Sequence, residues 1–170
     1  MNNPVLDVFS TNCLRFNGRE YRCAIGKNGF VSAEEKQEGD LRTPLGTYEL
    51  RELWVRQDKV QPPATELPLR IITQEDGWCD DVSHTDYNKH VTLPFDGRHE
   101  KLWRDDDCYD LMIPLGYNDD PPIAGKGSAI FLHVAKPDFS GTEGCVALAK
   151  EDLLGMLGQL SKESKMILAI

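Results

Sequence analysis

A chain of 170 residues, 40% of them apolar, has the size that buries one hydrophobic core and forms one domain. Its 28 acidic against 19 basic residues leave a formal charge of -9, a surface that repels polyphosphate and anionic lipid and so argues against nucleic-acid binding. The opening MNNPVLDVFSTNCLRF has no basic start followed by a long apolar run, and no later stretch is apolar over the length of a membrane span. The chain therefore either stays inside the cell or begins after a removed export signal.

Taken in chain order, short segments with β-type patterning are predicted at residues 5–9, 21–25 and 47–51. From residue 57 to 101, prolines and scattered charges predict long irregular loops, the kind of segment that often carries function. Further strands are predicted at residues 111–115, 129–133, 145–148 and 166–170. Between the last two, Leu153, Met156, Leu157 and Leu160 recur at the spacing of one helix face, which should pack over the sheet. No internal repeat or low-complexity linker interrupts the chain, so residues 1–170 read as a single domain.

Five cysteines, Cys13, Cys23, Cys79, Cys108 and Cys145, are widely spread without a C-x-x-C pair, so no structural metal is expected. Being odd in number, they leave at least one thiol outside any intramolecular disulfide scheme. His84, Asp86 and His90 form an H-x-D plus histidine pattern that a zinc peptidase could use, but no H-E-x-x-H accompanies them and surface residues are the simpler reading. The run Arg104 to Asp107 reads as a solvated turn.

The segment GSAIFLHVAKPDFSGTEGCVAL holds the chemistry. A β-type run ends at His133, and a glycine-containing loop leads to Gly144, Cys145 and a second apolar run. If the two runs are neighbouring strands, imidazole and thiol come together, and a histidine that takes the proton gives cysteine the thiolate that nucleophilic catalysis needs. Gly144 lets a substrate carbonyl approach and leaves its own and the Cys145 N–H groups to point at a developing oxyanion. On spacing alone the other reading stays open, in which Cys145 is a small buried hydrophobe and His133 a satisfied core histidine.

This segment resembles the signature of the L,D-transpeptidase catalytic domain, the YkuD family, in which a histidine ending a strand precedes a Ser/Thr-His-Gly-Cys motif. The matching residues are His133 and Thr142-Glu143-Gly144-Cys145. Thr43, Pro44 and Gly46 match the family's Thr-Pro-x-Gly turn. The likeness is greatest to a compact branch with EGD-x-RTP-x-G, WCDD, YN and GSAIFLH blocks, here at residues 38–46, 78–81, 87–88 and 127–133. Two positions depart from the pattern: Glu143 stands where histidine is usual, and Ala147 where a basic or amide residue is.

The resemblance implies a mainly β fold, a curved mixed sheet or sandwich with one or two packed helices. It implies a peptidoglycan L,D-transpeptidase without a cofactor, in which Cys145 forms a thioester with a stem-peptide donor and passes it to an acceptor amine, making 3-3 or 1-3 cross-links. Carbapenem-type inhibitors and a periplasmic or cell-envelope location follow from the same likeness. Arg42 becomes the candidate for gripping a substrate carboxylate, with Tyr87 and Asp81 as further substrate contacts and Trp78, Asp80 and Asn88 beside them; the alternative for the loop residues is turn chemistry. Two other outcomes use the same fold: an L,D-carboxypeptidase or endopeptidase with water as acceptor, and an inactive peptidoglycan-binding module.

Overall fold

Asn17 and Gly18 both take positive φ, 49° and 76°, the two-residue turn whose twist suits an antiparallel hairpin. The computed structural model, which describes residues 3–170, builds outward from that hairpin. In chain order the strands are β1 (Val5–Phe9), β2 (Cys13–Phe16), β3 (Arg19–Ala24), β4 (Phe30–Val31), β5 (Thr43–Pro44), β6 (Gly46–Glu49), β7 (Leu53–Val55), β8 (Leu69–Ile71), β9 (Asp76–Cys79), β10 (His90–Thr92), β11 (His99–Lys101), β12 (Leu111–Pro114), β13 (Phe131–Val134), β14 (Val146–Leu148) and β15 (Lys165–Ala169), with one helix, α1 (Lys150–Leu157), before the last.

A ten-stranded sheet runs β6-β15-β1-β2-β3-β14-β13-β12-β7-β8. Parallel pairing joins β1 to β15, β13 to β14 and β7 to β8, while the other neighbours are antiparallel. The expected mainly β, curved mixed sheet is thus present, with one packed helix.

The two-residue period of a strand divides the central strands between two cores. Leu111 and Ile113, Leu132 and Val134, and Val146 and Leu148 face a large cluster that also takes Leu6 and Val8 from β1, Leu14 and Phe16 from β2, and Leu153, Met156 and Leu157 from α1. Met112, Phe131 and Cys145 face the other way, into a smaller cluster with Trp54, Trp78, Leu102 and Tyr109. Because both faces are covered, β12, β13 and β14 are buried at every position and show no alternation of polar and apolar residues. α1 ends at Gly158, so Leu160 lies beyond the helix yet remains buried.

Residues 57–101 correct the expectation of irregular loops. They contain β8 and a separate three-stranded sheet, β10-β9-β11, whose central strand carries Trp78 onto the second core. These strands are three or four residues long, and β9 (DGWC) is buried throughout. Neither the length nor the period reaches what a pattern search can detect.

Asn88 ties this small sheet to the large one. Its left-handed backbone, φ 57°, turns the side chain inward, where Oδ1 accepts from Trp78 Nε1 (3.0 Å) and the Ala129 N–H (2.9 Å). Its Nδ2 donates to the carbonyls of Tyr117 (3.2 Å) and Asn118 (2.7 Å). Next to it the Tyr87 hydroxyl accepts from the Gly127 N–H at 3.0 Å. Removing a buried side chain that satisfies several groups leaves each of them desolvated. Asn88→Ala is therefore expected to lower stability by about 2–4 kcal/mol, read as a lower denaturant midpoint; a loss below about 1 kcal/mol would show that water replaces the brace.

Candidate active site

Parallel strands place paired residues on one face, and β13 pairs with β14 in the register Leu132 to Val146 and His133 to Ala147. Cys145, two residues before Ala147, therefore shares its face with His133 and Phe131. Imidazole and thiol both line one cleft of about 600 Å³, together with Glu100, Arg104, Tyr109, Glu143 and Ala147.

The thiol is held by backbone. Sγ donates to the Ala129 carbonyl (3.1 Å) and accepts from the Phe131 N–H (3.3 Å). Ala129 reaches that position with φ 54°, a conformation costing about 1–2 kcal/mol for a residue with a Cβ. The same conformation presents its N–H to Asn88, so the brace that stabilises the fold also aims the carbonyl at the Cys145 thiol.

His133 Nδ1 lies 2.9 Å from the Val134 carbonyl. A carbonyl only accepts, so Nδ1 carries the proton and Nε2 keeps a lone pair. The Tyr109 ring stands edge-on to the imidazole, with centroids 5.4 Å apart and planes at 80°. Burial lowers the His133 pKa to about 4, the Val134 hydrogen bond opposing it. Burial likewise pushes the Cys145 thiol up to about 12, against the Phe131 N–H. The site thus holds a neutral thiol and a neutral imidazole, because desolvation outweighs the gain from forming an ion pair.

Gly144 is required sterically. Its φ is 141°, and a Cβ there would sit 2.9 Å from the Arg42 carbonyl oxygen. The expectation that both the Gly144 and Cys145 N–H groups are free is met only by half: Gly144 N–H donates to Thr142 Oγ1 (3.1 Å), while the Cys145 N–H has no partner among the described residues. Thr142 in turn donates its hydroxyl to the Cys145 carbonyl at 2.7 Å, closing the turn on itself.

Cys145, His133 and Gly144 are thus brought together, whereas the side chains expected to contact substrate are not. Arg42 is exposed and does not line the cleft, although its carbonyl abuts Gly144. Tyr87 is buried on Gly127, and Asp81 accepts from Ser83 N–H (3.0 Å), Ser83 Oγ (2.6 Å) and Arg98 N–H (3.1 Å), which is turn chemistry. Trp78 and Asn88 brace the entry to β13, the strand that carries His133; Asp80 alone of that group lines the cleft. His84 accepts from the Asp86 N–H (3.0 Å) and His90 bonds Asp76 (2.7 Å). Among the described residues no three His, Cys, Asp or Glu side chains are grouped to hold a metal.

Three cleft residues escaped the sequence reading. Arg104 belongs to the expected solvated turn, but it is half-buried in the cleft wall, with Nε and Nη2 donating to Asp106 (2.8 and 2.6 Å) and its guanidinium over the Tyr109 ring. Glu100, on β11, and Tyr109, a member of the second core just before β12, sit in no motif, and only tertiary packing brings them beside Cys145.

The model of the YkuD family, the L,D-transpeptidase catalytic domain, matches residues 12–168. This chain belongs to that family. No curated protein matches it. Among solved structures it is similar to an L,D-transpeptidase from Mycobacterium smegmatis, with 10% identity over 99% of this chain and 59% of that one and a TM-score of 0.44. It is similar also to the helical cell shape determining protein Pgp2 of Campylobacter jejuni (14% identity, 98% and 47% covered, TM-score 0.44) and to an L,D-transpeptidase in complex with imipenem (9%, 98% and 58%, 0.43). The chain spans about half the length of these structures. Among the described residues no helix is long and apolar enough to cross a membrane.

Two outcomes follow from this geometry. A thiol held near 12 gives a thiolate fraction that rises about tenfold per pH unit below that value, so alkylation of Cys145 in the free protein, followed by peptide mapping, should climb steadily from pH 7 to 10; a plateau near neutrality would reveal a preformed ion pair. Gly144→Ala should cost about 2–4 kcal/mol of stability and slow Cys145 chemistry, since the turn must move to relieve the Arg42 contact; a fully stable, equally reactive variant would contradict it.

Proposed function

We propose that residues 1–170 act as one catalytic domain, a peptidoglycan L,D-transpeptidase of the cell envelope, with Cys145 the nucleophile and His133 its base. The observation that carries this reading is that Cys145 and His133 line one cleft, with the His133 Nδ1 turned to the Val134 carbonyl, in a chain of the L,D-transpeptidase catalytic family.

The resting thiol points at Ala129, and donor binding swings it toward the carbonyl to be attacked. As sulfur bonds to that carbon, the thiol proton passes to His133 Nε2, and the oxygen gathers charge beside the Cys145 N–H. Collapse breaks the C–N bond of the L,D linkage; the departing D-residue amine takes the proton from His133 and leaves a thioester on Cys145. An acceptor amine then attacks the thioester, forming a 3-3 or 1-3 cross-link and regenerating the thiol. Burial makes the thiolate scarce at rest, so the charge appears only when a carbonyl is present to receive it.

With Ala147 offering no side-chain donor, Arg104 is the guanidinium suited to a donor carboxylate. Its Nη1 has no hydrogen-bond partner among the described residues, and arginine grips carboxylates in a planar fork.

Cys145→Ala is expected to abolish turnover with the fold intact, and parent protein incubated with a carbapenem should gain one drug mass on Cys145 by ring opening; turnover surviving in the variant, or an adduct on another cysteine, would rule out this nucleophile. Arg104→Lys should raise the KM for donor by about tenfold with a smaller change in kcat, whereas Arg42→Ala should move KM little; the reverse order would return the carboxylate to Arg42.

A further inference from the structure

Transfer to an amine poses a problem that acylation does not, because the acceptor arrives as an ammonium ion and must lose a proton before it can attack. His133 can serve the leaving group of the first step, but a cation entering the cleft needs a counter-charge as well as a base. The cleft contains a carboxylate in a fitting position that the mechanism above leaves unused. Glu100, on β11, lines the cleft with Cys145. One of its oxygens accepts from the Tyr109 hydroxyl, and the other has no hydrogen-bond partner among the described residues. Tyr109 is itself buried, edge-on to both His133 (5.4 Å) and Phe131 (5.7 Å), so the tether that fixes Glu100 rests on the ring that backs the imidazole.

We infer that Glu100 is the acceptor-site residue of the transpeptidation: it binds the ammonium group of the incoming amine and takes one proton from it. This rests on the transpeptidase reading above. The proton balance closes as follows: R-NH3+ gives one proton to Glu100, the free amine forms a C–N bond to the thioester carbon, and the C–S bond breaks. The second proton leaves nitrogen through His133 for the departing sulfur, while Glu100 returns the first to solvent.

Around Glu100 stand Tyr109 and Arg104, which favour its charged form, and Asp80 and Glu143, which oppose it; burial is the largest influence, and together they raise its pKa to about 7. That is the range in which a general base works best near neutrality. Water needs no counter-charge, so Glu100 separates amine from water as acceptors.

The test measures how the acyl-enzyme partitions between the two. Parent protein and Glu100→Gln are given a tetrapeptide stem donor with and without a stem-peptide amine, with acyl-enzyme followed by intact mass and products by chromatography. The parent is expected to show a break in its aminolysis-to-hydrolysis ratio near pH 7, and Glu100→Gln to form the acyl-enzyme, lose that break and lose about tenfold or more of the ratio. Tyr109→Phe, which keeps the carboxylate but removes the hydrogen bond that favours its charged form, should retain aminolysis and move the break to higher pH. Parent-like partitioning in Glu100→Gln at every pH would overturn the assignment while leaving the nucleophile intact; absence of any acyl-enzyme in the parent would overturn both.

Discussion

The parallel pairing of β13 with β14 is the constraint from which the site follows. Its register sets His133 beside Ala147 and leaves Cys145 one step outside the strand, on the same face. The opposite faces of both strands are filled by Leu132, Val134, Val146 and Leu148 in the main core, so a slip of one residue would drive imidazole and thiol into hydrocarbon and turn four apolar side chains out of that core. Register is thus enforced by burial that has nothing to do with chemistry.

The same burial governs the electrostatics. A site covered on one side by β9 and β11 and floored by a fully buried strand disfavours charge, raising Cys145 and Glu100 and lowering His133. The thiol and the imidazole are thereby kept neutral at rest, while Glu100, raised to about 7, is divided between its acid and carboxylate forms near neutrality. Desolvation takes the place of the fixed ion pair that would activate a more exposed cysteine.

Support for this arrangement is spread over segments far apart in the chain. Asn88 holds Ala129, Ala129 holds the thiol, Thr142 closes the turn that carries it, and the Arg42 carbonyl leaves Gly144 no room for a side chain. Motif blocks suggestive of substrate contact are joined to one another instead. Their spacing reflects the geometry needed to hold the strand entering the site, through the atoms that Trp78, Tyr87 and Asn88 fix.

Sequence by itself located β1, most of β3 and the helix face of α1, because each is carried by a local periodicity, and it drew His133, Gly144 and Cys145 from one short segment. It also named Asn88 and Thr142 within motif blocks, without their roles. Tertiary structure alone decided the three-stranded sheet within residues 57–101, whose strands are too short and too uniformly buried to carry a period. It alone decided which side chains wall the cleft. Arg42 projects into solvent while Arg104, Glu100 and Tyr109 come to Cys145 from a segment some forty residues earlier in the chain; no local pattern encodes a contact made by packing one sheet over another.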